Sequence, residues 1–72
     1  MPRLFTFESL EKHDRSGWYV DKRNADGGET VAGATTPLTQ KQAEDLADLL
    51  NRARGQGQRT LSFALDVLAI IA

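Results

Sequence analysis

The chain has no cysteine among its 72 residues, which excludes a disulfide framework and a thiolate metal cage. It has only two prolines, one histidine and few aromatics, with three Phe, one Tyr and one Trp. It also lacks a long hydrophobic run. The longest apolar stretch, Leu61 to Ala72, spans 12 residues and contains Ser62 and Asp66. A bilayer span needs roughly 20 apolar residues, so this stretch reads as core or interface. Nor is there an excess of charge of one sign: 9 Lys+Arg stand against 10 Asp+Glu, for a net charge of −1 and a pI near 5.7. A dedicated duplex nucleic-acid binder is normally basic, so direct nucleic-acid binding is not expected. Residues Met1 to Glu8 show no apolar signal core, and a cytoplasmic location is expected. One domain fits the length. A chain this short buries roughly 60% of its unfolded surface, so it depends on tight packing or on a partner subunit.

What is present is a clear order of elements. Phe5 and Phe7 fall on one side of an alternating run, which predicts a strand over about residues 3–10. The polar run Glu11 to Gly17 is a turn. Trp18 to Arg23 predicts a second strand, with Trp18 and Val20 on one face and Tyr19 and Asp21 on the other. Asp26-Gly27-Gly28 supplies the positive φ of a tight hairpin, and 29–34 reads as the returning strand. Thr39 and Gln42 have capping-box spacing, and Ala43, Leu46, Ala47, Leu50 and Ala53 form one apolar stripe. These predict a helix over about 40–54, with Gly55 as its C-terminal stop. Leu61, Phe63, Leu65 and Val67 alternate with polar or small residues and predict a C-terminal strand over about 59–67. Leu61, Leu65, Leu68 and Ala72 also fit a helix. The expected architecture is α+β: an antiparallel sheet of three to four strands with one amphipathic helix on one face.

Catalytic and metal-binding patterns are not legible. His13 sits among Lys12, Asp14 and Arg15 and reads as a solvated turn residue, with no nucleophile or co-ligands at a recognisable spacing. The Asn24-Ala25-Asp26-Gly27 stretch suggests the middle of a calcium loop. That register would put Lys22 and Gly33 where the first and last acidic ligands belong, which excludes it. The glycine pairs match no phosphate-binding loop. No enzyme, cofactor or metal is expected, and function should lie on a surface.

Charge distribution narrows that surface. Residues 1–28 are neutral, 29–50 carry −3 and 51–72 carry +2. Part of this asymmetry simply complements the helix dipole. The functional reading is an acidic helix face formed by Glu44, Asp45 and Asp48, joined by Tyr19 and Asp21 on the solvated sheet face, docking on a basic partner surface. The alternative uses Arg52, Arg54 and Arg59 with an exposed Tyr19 or Phe63 to bind single-stranded nucleic acid. A third reading pairs two chains through the apolar C-terminal strand, which would otherwise present an open edge.

Trp18-Tyr19-Val20, then Asp26-Gly27-Gly28, then Thr39 through Asn51 resembles small strand–strand–helix proteins of bacteria, phages and other mobile elements. In size and make-up the chain is similar to phage-borne inhibitors, anti-CRISPR proteins among them. That resemblance implies a protein partner, a CRISPR effector, whose target recognition or nuclease recruitment is blocked. It implies action in the host cytoplasm. The group shares no motif, so no binding residue is carried over from it.

Overall fold

The computed structural model describes residues 5–71. Three strands, β1 (Thr6–Glu11), β2 (Trp18–Asn24) and β3 (Gly27–Ala32), precede two helices, α1 (Gln40–Gly55) and α2 (Gln58–Ile71). The fold is α+β, as expected. The sheet is antiparallel in the order β1-β2-β3. Residues 3 and 4 of the expected first strand lie outside the described residues.

The β2–β3 hairpin turns at Ala25-Asp26, where the Asn24 side-chain oxygen accepts from the Asp26 amide. Gly27 has φ +135°. The register then slips. Asp21 pairs with Thr30 but Val20 pairs with Ala32, so Val31 is an extra residue in β3. Gly33 follows at φ +90°, and a Cβ there would lie 2.8 Å from the Trp18 carbonyl and 2.9 Å from Tyr19 Cα. Only glycine fits this approach. The strand therefore ends at Ala32 and does not continue to Ala34. Beyond it Leu38 exchanges two backbone hydrogen bonds with Trp18, at 2.8 and 2.9 Å, which fixes the start of α1.

The α1 capping box forms as expected: the Gln42 amide donates to Thr39 Oγ1 and the Thr39 amide to Gln42 Oε1. The stripe buries Ala43, Ala47, Leu50 and Ala53 against Phe7 and Val20, while Leu46 packs half-buried beside them. Gly55 is still helical. The reversal falls at Gly57, with φ +120°, whose amide donates to the Arg54 carbonyl.

The predicted C-terminal strand over 59–67 is instead α2. A strand would put Phe63 and Val67 on the same buried face as Leu61 and Leu65. In the structure Leu61 is buried, with Ala64, Leu65 and Leu68 packed on the core, while Phe63 is 70% exposed. Helical period wins because β1 and β2 are already covered by α1, and the turn at Gly57 lays the next segment along that helix. Leu68 reaches the start of α1, sharing a hollow with Gln42 and Leu46. The sheet thus has three strands covered by α1, with α2 packed against α1 in place of a fourth strand, and the expected pairing of chains through a C-terminal strand has no strand to use.

One device on α1 was not legible as such. Asn51 spans both backbone groups of Phe7: the Phe7 amide donates to Asn51 Oδ1 and Asn51 Nδ2 donates to the Phe7 carbonyl, each at 2.9 Å. One turn on, Arg54 Nη1 donates to the Phe5 carbonyl at 2.6 Å. Two side chains at i and i+3 thereby stitch the outer edge of β1.

Candidate interaction surfaces

Three surfaces gather polar chemistry. The first is the exposed side of α1. Glu44, Asp45 and Asp48 all face solvent, away from the buried stripe. Two of the three are paired within the helix, Lys41 Nζ to Asp45 Oδ2 at 3.0 Å and Arg52 Nη2 to Asp48 Oδ2 at 2.9 Å. Gln40 Nε2 donates to Glu44 Oε2. The Asp45 carboxylate holds the Lys41 ammonium pKa above its ordinary value, through their hydrogen bond first and their charge attraction second. The result is a row of carboxylates steadied by their neighbours.

The second surface is the sheet face turned away from α1. Alternation places Glu8, Tyr19, Asp21, Arg23 and Thr30 here. Tyr19 is half-buried, but Asp21 is only 6% exposed. Its two carboxylate oxygens are taken up locally. Thr30 Oγ1 donates to Oδ1 at 3.0 Å and Arg23 Nη1 to Oδ2 at 3.1 Å, and Arg23 also reaches Glu8 at 3.7 Å. Gly28 makes room for this, since a Cβ there would sit 2.6 Å from Asp21 Oδ2. Asp21 is therefore a buried structural acid, not the surface contact its alternation suggested. Together with Lys12, His13 and Ala34, Tyr19 and Asp21 line a shallow hollow of about 340 Å³. His13 is exposed at its rim, as a turn residue should be.

The third surface surrounds Phe5. Its ring meets Phe7 edge-on at 5.7 Å, with Lys22 Nζ 4.5 Å and the Arg54 guanidinium 5.6 Å from its centroid. These cations are engaged with the ring and the strand edge.

The structure brings Glu44, Asp45 and Asp48 together, and Tyr19 with Asp21. It separates the two groups, because the sheet lies between α1 and the face that carries Tyr19 and Asp21. The three arginines of the alternative reading do not converge either. Arg52 is paired to Asp48, Arg54 is tucked against Phe5 on another side of α1, and Arg59 is exposed on α2. Among the described residues no group of three His, Asp or Glu side chains is placed to hold a metal ion, and no helix is long and apolar enough to cross a membrane. No protein-family model, curated protein or solved structure matches the chain.

Proposed function

We propose that the chain is a small, non-enzymatic protein-binding inhibitor of the anti-CRISPR kind, acting in the host cytoplasm. In this reading it covers a basic, nucleic-acid-binding surface of a CRISPR effector. The supporting observation is the group of exposed carboxylates at Glu44, Asp45 and Asp48 on one side of α1, with Asp45 and Asp48 held by ion pairs with Lys41 and Arg52 and Glu44 by a hydrogen bond from Gln40. Exposed helix pairs contribute little to stability, so exchanging them for a partner's cations costs little. Such an arrangement speeds encounter with a basic surface and sets orientation on it. Tyr19 lies behind the sheet and Asp21 is buried, so neither takes part in the contact in this reading.

The test adds purified protein to effector–guide complexes and reads target-DNA binding by gel shift. The wild-type chain should block binding by a susceptible complex, and the triple variant E44K/D45K/D48K should not, with the fold verified by circular dichroism. Equal inhibition by the folded variant would refute the acidic-row mechanism. Salt-sensitive binding of the chain itself to single-stranded oligonucleotides would support the nucleic-acid reading instead.

A further inference from the structure

The side of α2 that faces away from the core carries Arg59, Phe63, Asp66 and Val67. Their spacing, i, i+4, i+7 and i+8, places them within about 100° of arc around the helix. All four are exposed, Phe63 at 70% and Val67 at 38%. Leu61, Leu65 and Leu68 occupy the opposite side, against the core. Arg59 and Asp66 make no ion pair or hydrogen bond with any described residue. The face therefore has an apolar centre, with a free cation four residues before Phe63 and a free anion three residues after it.

We propose that this face is the contact between two copies of the chain, with their α2 helices packed antiparallel about a two-fold axis beside Phe63. The charge order carries the argument. A two-fold axis requires a self-complementary patch, in which each residue meets the counterpart of another. Reversing the helix direction about Phe63 brings Arg59 of one copy level with Asp66 of the other, offset by a single residue, about 1.5 Å along the axis. The same operation brings the second Arg59 to the second Asp66. Both unpartnered charges are satisfied at once, and Phe63 packs on its own counterpart with Val67 alongside. A standard interface buries about 800 Å² per partner, about one-seventh of the 5416 Å² accessible here. One 14-residue helix, about 21 Å long, supplies less. The dimer should accordingly be concentration-dependent, forming over a micromolar range.

Sedimentation equilibrium of the full chain between roughly 5 and 500 µM is the test, a range that brackets micromolar dissociation constants. The average mass should rise from 7.9 kDa towards twice that value. Phe63→Asp should leave a monomer throughout with an unchanged circular dichroism spectrum. Should that variant misfold, the charge pair decides independently, since both residues are exposed. Arg59→Asp and Asp66→Arg should each disrupt both symmetry-related pairs and weaken dimerisation about tenfold, which is about 1.4 kcal/mol for the two together, and the double exchange should restore it. A monomer at every concentration would overturn the proposal and leave the face to a different partner. So would a dimer that survives Phe63→Asp, or a double exchange that fails to restore association. None of these variants touches Glu44, Asp45 or Asp48, so the inhibitor reading stands or falls separately.

Discussion

Replacing Asn51 with leucine should remove more stability than any change of similar size on the exposed side of α1. Leucine nearly matches the shape of asparagine but can neither accept from the Phe7 amide nor donate to the Phe7 carbonyl, both at 2.9 Å in the structure. Phe7 is 2% exposed, so water reaches its backbone poorly. Removing one partner strands the other at a cost of about 1–3 kcal/mol per buried group. Partial exposure at Asn51 keeps both groups towards the lower part of that range, and about 3 kcal/mol is the expected total for the two. A domain of this length has about 4–11 kcal/mol in all. A midpoint shift of roughly 4–8 °C per kcal/mol then gives a fall of roughly 12–24 °C. Thermal unfolding followed by circular dichroism measures it, and hydrogen exchange should show the Phe7 amide losing protection ahead of the rest of β1. N51D keeps the acceptor for the Phe7 amide and should lose less at acidic pH, where the protonated carboxyl regains a donor. A midpoint within about 2 °C of wild type for N51L would mean that the stitched edge contributes almost nothing, and the reasoning would fail.

Gly33→Ala should destabilise by about 2 kcal/mol, measurable by urea unfolding, because φ +90° is strained for alanine and its Cβ would meet the Trp18 carbonyl at 2.8 Å; an unchanged midpoint would show that the hairpin end relaxes freely. Asp14 has its pKa held below the ordinary value by hydrogen bonds from Ser16, side chain first and backbone second. Its folded pKa is the lower one, so its contribution is present above the unfolded value and is lost as pH falls through the folded value. The stability difference between wild type and D14N should therefore be constant near neutrality and vanish on acidification, and a pH-independent difference would contradict this. Lys41 has the opposite sign: its folded pKa is the higher one, so its contribution is present below the unfolded value and is lost at the alkaline end as pH rises through the folded value.

The strands and α1 were legible because independent local signals coincide there. Thr39 and Gln42 set the start of the helix, its apolar stripe sets the buried side, and Asp26-Gly27 sets the hairpin. The segment after Gly57 was ambiguous for a definite reason. Leu61 and Leu65 satisfy period two and helical period equally, and only the fate of Phe63 separates the two. That fate depends on what α1 already covers, which is tertiary information. Asp21 misled in the same way. Alternation places it correctly on the outer sheet face, but its burial depends on Arg23 and Thr30 closing over it and on Gly28 yielding space. The role of Asn51 left only one trace in the sequence: a polar residue at the margin of an apolar stripe.

The stitching by Asn51 and Arg54 also gives the sheet a direction. At Phe5 and Phe7 an incoming strand meets backbone groups already bonded by side chains that imitate a neighbouring strand, whereas no strand among the described residues occupies the far side of β3. The two sides of the sheet are thus unequal templates: the start of β1 is blunted against edge-to-edge pairing by the helix laid across it, and β3 carries no such cover among the described residues.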